Sequence, residues 1–247
     1  MISKNKLKFL KSLQIKKNRK EAGLFVVEGE KSVAELLQSD YTIDSLFITE
    51  AFLKAYSKPI EKRNLPYIIT TEDELGKAGS FATNDAAIAI AGVKENIPLH
   101  LQKNEFGIIL DNIKDPGNLG TIIRIADWYG ITKIICSEET AEVYNPKVIA
   151  SSMGSFTRIQ VYYCDLGKYI HELKDVPVYG ATLTGENIHL CSFKAPAFIM
   201  VGNESNGIRP EYKKILHSEI SISRFGHAES LNAATATAVI CDRLRNP

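Results

Sequence analysis

Short apolar runs alternate with stretches of helical period along most of this 247-residue chain, and small or polar residues follow several of the runs. In the first series, residues 24–27, 45–48 and 67–69 read as strands, and 28–38 reads as a helix with Val33, Leu36 and Leu37 inward. Thr71 and Glu74 stand at capping-box spacing before a short helix. Residues 86–93 read as a strand of small side chains, and the polar stretch 94–104, with Pro98, reads as a linker. A second series opens with the apolar run 106–110. It continues with a helix over 118–129 stopped by Gly130, strands over 133–136, 158–162, 176–181, 198–202 and 219–223, and a closing Ala-rich helix over 230–245. Repeated β–α alternation predicts a parallel sheet covered on both faces. The expected fold is α/β, with a C-terminal parallel-sheet α/β domain over 105–247 and a small N-terminal α/β domain over 1–97.

Charge changes this picture more than composition does. The formal net charge is +1, yet residues 1–20 hold eight basic residues (Lys4, Lys6, Lys8, Lys11, Lys16, Lys17, Arg19, Lys20) and no acid, leaving 22 basic and 29 acidic residues in the remainder. A basic arm on an acidic body suits a polyanion. The competing readings are a solvated amphipathic helix and a mitochondrial presequence; the preference for Lys over Arg speaks against the latter. No apolar run approaches the ~18 residues of a membrane span, and the N-terminus lacks the apolar core of a secretory signal. Cys136, Cys164, Cys191 and Cys241 are far apart with no CxxC pair, so neither a zinc site nor a disulfide framework is expected. Free thiols in a reducing, cytoplasmic setting follow.

Three polar blocks sit just after apolar runs, where ligands bind in α/β sheets. The first runs from Leu110 through Asp115-Pro116-Gly117-Asn118 to Arg124. Free amides at a helix start suit an anion, but there is no GxGxxG and no P-loop lysine. Leu119, Ile122, Ile123 and Ala126 form the core stripe of that helix, and Arg124 projects off it, either into a site or into solvent. The second block is Gly202-Asn203-Glu204, which alone could be an ordinary turn. The third is Ser230-Leu231-Asn232, where Ser230 reads as an N-cap. No GxSxG supports a serine hydrolase, and His227 reads as a loop residue.

In this order the blocks resemble the SpoU (TrmH) family of RNA ribose 2′-O-methyltransferases, within the SPOUT class of knotted methyltransferases. The resemblance spans residues 106–245. The family's first motif matches Asn118 and Arg124, its second Gly202, Asn203 and Glu204, and its third Ile222, Gly226, Ser230, Leu231 and Asn232. Ser223 stands where the family has Pro, which predicts a less stiff loop. Residues 1–95 look like the family's accessory RNA-binding domain, related to a ribosomal-protein fold. The resemblance implies methyl transfer from S-adenosylmethionine to a ribose 2′-hydroxyl of structured RNA, rRNA before tRNA, with no metal. It implies a C-terminal trefoil knot and a homodimer formed through it, with the Ala-rich face over 233–238 and Trp128 and Tyr129 as interface candidates. It assigns the cofactor to Gly202, Asn203, Ile222 and Leu231, completed by Thr182 and Leu183. It assigns catalysis to Arg124, with Asn118, Ser230 and Asn232 positioning it and the ribose, and Glu204 orienting its neighbours. Because a guanidinium stays protonated in proteins, stabilisation of a developing 2′-alkoxide suits Arg124 better than a base role. Two alternatives stand: an inactive RNA-binding protein on the same fold, against which an intact Arg124, Glu204 and Asn232 argue, and a Rossmann-type nucleotide enzyme, against which the missing GxGxxG argues.

Overall fold

The computed structural model describes residues 2–80, 84, 86–173 and 175–246. In chain order the first elements are α1 (Lys4–Ser12), α2 (Lys16–Ala22), β1 (Leu24–Glu28), α3 (Glu30–Leu37), β2 (Ile43–Ile48), α4 (Glu50–Lys62), β3 (Tyr67–Ile69), α5 (Glu72–Ala78) and β4 (Ala87–Gly92). Then come β5 (Phe106–Asp111), α6 (Pro116–Trp128), β6 (Lys133–Ser137), α7 (Pro146–Ser152), a 3-10 turn (Ser155–Thr157), β7 (Gln160–Cys164), α8 (Leu166–Glu172), β8 (Val178–Asn187), β9 (Ala197–Gly202), α9 (Pro210–Lys213), β10 (Ser218–Ser221) and α10 (Ala233–Arg245). They form two compact units, one of residues 1–95 with 142–157, the other of 96–141 with 158–247.

The first unit carries a four-stranded sheet in the order β1-β4-β2-β3, with only the β2/β3 pair parallel. The small side chains of β4 fit its place between two neighbours, where five of its six residues are buried. One face packs Val26, Phe47, Ile88 and Ile90 against Leu10 and Leu13 from the N-terminal helices and Leu75 and Ala78 from α5. The basic segment is therefore no loose arm. Two leucines tie it to the core, and Arg19 is buried at 1% exposure. Its guanidinium donates to the carbonyls of Leu13 and Gln14 at 2.9 and 2.8 Å and pairs with the Glu142 carboxylate. That carboxylate belongs to the 142–157 stretch, which the sequence pattern assigns to the later domain. The stretch packs in the first unit because Tyr144 and Phe156 set their rings 4.5 and 6.0 Å from that of Phe25. Helix α3 starts two residues later than expected, since Gly29 at φ +89° breaks the backbone between β1 and the helix. Thr71 caps α5 as expected, and the Glu74 carboxylate accepts from Thr70 Oγ1 as well as from the Thr71 backbone amide that closes the capping box.

The second unit is a six-stranded, all-parallel sheet in the order β10-β8-β9-β5-β6-β7. Strands β5 and β9 lie at its centre and are buried along their whole length, as their unbroken apolar runs require. One face packs Ile109, Phe198 and Met200 against Leu166, Tyr169 and Ile170 of α8 and Tyr212 of α9. On α6, Leu119, Ile122, Ile123 and Ala126 are buried, and α6 packs with α10. The stretch 96–104 is not a free linker: Tyr169 donates its hydroxyl to the Leu99 carbonyl at 2.6 Å, and the Asn96 amide brackets the backbone of Tyr163 at 2.9 Å on both sides. From β5 the chain moves to one side of the sheet and from β9 to the other. Strand-end loops at such a switch diverge and leave a crevice.

Breaking the buried Arg19 pair leaves a carboxylate and two carbonyls without their donor. Arg19→Ala is expected to destabilise the first unit by about 3 kcal/mol, read as an earlier first transition in urea. Lys17→Ala, which removes only an exposed partner of Glu21, is expected to change stability by no more than about 0.5 kcal/mol.

Candidate active site

The site grows from the ends of β5 and β9, which run in register to Asp111 and Gly202. After Asp111 the chain turns through Asn112 at φ +59°, a left-handed conformation that Asn tolerates, and the Asn112 amide donates to Ser137 Oγ at 2.9 Å. Asp115 then caps α6 by accepting from the Asn118 amide at 2.8 Å, with Pro116 in the first turn. Beyond β9 the chain doubles back at once, with Asn203 and Gly207 exchanging backbone bonds of 3.1 and 2.8 Å. A Cβ on Gly202 would lie 2.2 Å from backbone atoms of Gly207 and Ile208, so only hydrogen fits there. Asn203 Oδ1 accepts from the amides of Ser205 and Asn206, and its Nδ2 donates to the Asn112 carbonyl at 2.9 Å. One side chain thus fastens the loop after β9 to the loop after β5.

The third motif joins through its asparagine. Asn232, rather than Ser230, caps α10, accepting from the amides of Ala234 and Thr235 at 2.9 and 3.3 Å. Ser230 fails as the cap because the helix begins only at Ala233. The remaining Asn232 Nδ2 donates to Asn118 Oδ1 at 2.9 Å, and Asn118 Nδ2 donates to the Glu204 carboxylate. Asn232, Asn118 and Glu204, separated by up to 114 residues, therefore form one hydrogen-bonded chain.

Asn203 joins this chain by donating to the Glu204 carboxylate at 3.5 Å, and the remaining expected residues stand around it without bonding to it among the described residues. Arg124 is exposed on α6 and makes no hydrogen bond or ion pair among the described residues, on a helix face shared with exposed Thr121 and Trp128. Ser230 and Leu231 are exposed, and Ile222 is half-buried. Thr182 and Leu183 lie where β8 breaks register with β10: Gly180 faces Glu219, but Glu186 faces Ile220. There the Thr182 hydroxyl oxygen is buried without a partner among the described residues, and Leu183 is 74% exposed. An unpaired buried hydroxyl next to an exposed apolar side chain fits a ligand that combines hydrogen-bonding groups with a flat aromatic face, as the adenosine of S-adenosylmethionine does.

One group beside the site carries no motif in the sequence. Asp111 is fully buried and accepts from Arg209 Nε at 2.7 Å and from the Arg209 amide at 2.8 Å, and the guanidinium reaches on to Glu139. Burial works against the Arg209 charge, but Asp111 and then Glu139 override it and raise its pKa. The one available signal is an Asp ending a wholly apolar strand, since a buried carboxylate demands a cation. Burial pushes the Cys164 and Cys241 thiols up to about 12, which keeps them protonated near neutrality and unsuited to nucleophilic work. No group of His, Cys, Asp or Glu among the described residues could hold a metal ion, and no helix there is long and apolar enough to cross a membrane.

Comparison with known proteins places this geometry. A family model described as the SpoU rRNA Methylase family matches residues 105–242, and one described as the MRM3-like substrate binding domain matches residues 4–89. The chain is 30% identical over 243 residues to the 23S rRNA (guanosine(2553)-2'-O)-methyltransferase RlmP of Bacillus subtilis (strain 168), covering 97% of this chain and 96% of the relative. A TrmH-family protein from Porphyromonas gingivalis superposes with a TM-score of 0.88 at 31% identity, covering 100% of this chain and 99% of that one. An rRNA methyltransferase from Sinorhizobium meliloti with AdoMet bound superposes with a TM-score of 0.89 at 26% identity, covering 100% and 97%. With the family model spanning more than half its length and a 30%-identical relative spanning nearly all of it, the chain belongs to the SpoU (TrmH) rRNA methylase family.

Proposed function

We propose that this protein transfers a methyl group from S-adenosylmethionine to a ribose 2′-hydroxyl of rRNA. The observation that carries the reading is the Asn232–Asn118–Glu204 chain, which gathers one residue from each family motif at a single crevice. The names of the relatives, which are rRNA 2′-O-methyltransferases, agree with it. When bound, S-adenosylmethionine supplies a methyl made electrophilic by a cationic sulfur. Gly202, Asn203, Ile222 and Leu231, with Thr182 and Leu183, hold it at the strand ends. Arg124, without a partner among the described residues, is available to the RNA: its fork stabilises the 2′ oxygen as negative charge develops and orients the adjoining phosphate. Asn118 and Asn232, locked to each other, fix the wall against which the ribose is placed, and Glu204 fixes Asn118. The protein works in the cytoplasm as a homodimer through a knotted C-terminal domain. Trp128, 84% exposed, and Val239 of α10, 37% exposed, support that assembly, whereas Ala233, Ala234 and Thr237 are buried within the unit, so the expected Ala-rich face is largely spent on internal packing. The first domain captures RNA. On α1, Lys4, Lys8 and Lys11 recur on the face turned away from Leu10, and all three are exposed. Arg19, spent on Glu142, is not part of that surface.

Labelled-methyl transfer from S-adenosylmethionine to rRNA tests the activity. RNA binding without transfer would instead describe an inactive RNA-binding member of the family. Arg124→Ala is expected to slow transfer by ~10²–10³-fold while calorimetry still finds S-adenosylmethionine binding; turnover near wild type would remove Arg124 from the chemistry. Replacing Lys4, Lys8 and Lys11 together by Ser spares Leu10, Leu13 and Arg19, which a deletion would tear from the core. For every RNA phosphate that these lysines neutralise, the triple variant is expected to show a log–log salt slope of RNA affinity lower by roughly 0.7 to 0.9. An unchanged slope would place the RNA surface elsewhere. Light scattering at micromolar concentration is expected to give about twice the 27.4 kDa chain mass; a monomer with full activity would contradict the dimer.

A further inference from the structure

The loop from Ile222 to Leu231, between β10 and α10, carries three of the residues assigned above, yet little holds it. Residues 223–232 are all exposed. Among the described residues no backbone hydrogen bond joins residues 222–231 to the rest of the unit. Arg224 bonds only to the Ala228 carbonyl inside the loop, at 3.5 Å. Among the described residues two side-chain bonds tether it, one near its start and one from the residue just after its end. Asn232 reaches Asn118 at 2.9 Å, and Ser223 Oγ receives a hydrogen bond from Asn187 Nδ2 at 2.8 Å.

The mount for the second tether is rigid. Asn187 is the last residue of β8 and pairs with Ser221. Its Oδ1 accepts from the His189 amide at 2.9 Å, which leaves Nδ2 as the group turned to Ser223. Ser221 Oγ donates to the Gly185 carbonyl at 2.6 Å, and the Ile188 amide donates to the Ser221 carbonyl at 2.9 Å. From α10, the Arg243 guanidinium clamps the carbonyls of Ile188, His189 and Cys191 at 3.1 to 3.4 Å. The same strand carries Thr182 and Leu183 in its irregular stretch.

We propose that Asn187 and Ser223 are positioning residues for S-adenosylmethionine: their hydrogen bond sets the cofactor end of the loop, next to Ile222, against the wall built by Thr182 and Leu183. The inference rests on the functional reading above. An ordered loop gives up conformational entropy, and a loop fixed at only one end gives up more of it when ligand binds. The cost of losing the tether therefore falls on cofactor affinity. The ribose end keeps its own tether through Asn232 and Asn118, so RNA affinity is spared.

The test measures S-adenosylmethionine affinity by calorimetry and the KM for each substrate, in Asn187→Ala, Ser223→Ala and the double variant, with melting temperatures as a check on folding. Each single variant is expected to weaken S-adenosylmethionine binding by about three- to tenfold, the worth of one hydrogen bond, and to raise its KM while leaving the KM for RNA near wild type. The double variant is expected to be no worse than Asn187→Ala, which removes the shared bond together with the His189 contact. Unchanged cofactor affinity, losses that add in the double variant, or an equal rise in both KM values would overturn the proposal while the functional reading stands. Wild-type protein that takes up no S-adenosylmethionine would overturn both.

Discussion

The Asn118 side-chain amide is the joint on which the site depends. Its oxygen takes the Asn232 amide and its nitrogen serves Glu204, so one planar group holds a strand-end loop and the cap of the last helix in fixed relation. The amide can do this because its donor and acceptor ends point apart. A carboxylate would lack the donor, and a hydroxyl could not span both partners. The joint works only because its bases are stiff. Strands β5 and β9 are buried neighbours in register up to Asp111 and Gly202, and adjacent strands lie about 4.8 Å apart. The loops that leave them therefore start side by side, and Asn203 fastens them through the Asn112 carbonyl.

Charge around this joint is divided with a purpose that the chemistry makes clear. Asp111 and Arg209 neutralise each other at the base of the crevice, and Glu139 takes the outer side of the guanidinium. That cation is committed and serves the fold. Arg124 is the opposite case, an exposed guanidinium about one and two-thirds turns beyond Asn118 with no partner among the described residues. In water such a group costs little, and its planar fork stays open for a phosphate or a developing oxyanion. Two arginines in one unit thus differ in role because one has a buried carboxylate beside it and the other does not.

The sequence discloses what local pattern controls. Strands β5 and β9 are legible as unbroken apolar runs, and the motif residues as polar blocks at their ends. What it hides depends on partners far away in the chain. Nothing near Arg19 shows that Glu142, 123 residues on, will bury it, so a structural cation reads as part of a binding arm. Residues 142–157 sit between two strands of the later sheet, yet their aromatic rings pack around Phe25. The stretch 94–104 reads as a linker because of Pro98 and its charged and polar ends, although Leu99 is buried and Leu101 packs beside it on the core. Ser230 reads as a helix cap by residue type, but Asn232, two residues later, can cap α10 and still donate to Asn118. A serine hydroxyl is too short to do both.

Ser223 shows how one physical requirement can be met by different means. A proline stiffens a loop covalently, by fixing φ in folded and unfolded chain alike. A serine leaves the backbone free and can hold the loop only through a partner, so stiffness becomes a property of the pair with Asn187. The pair depends in turn on how β8 ends, with its broken register against β10 and its following turn held by Arg243. Strand β8 therefore bears on the proposed cofactor site twice, through the buried Thr182 hydroxyl and the exposed Leu183 side chain and through its bond from Asn187 to the loop. A change in the register of β8 would move both together, which ties the shape of the proposed cofactor wall to the position of the loop that follows β10.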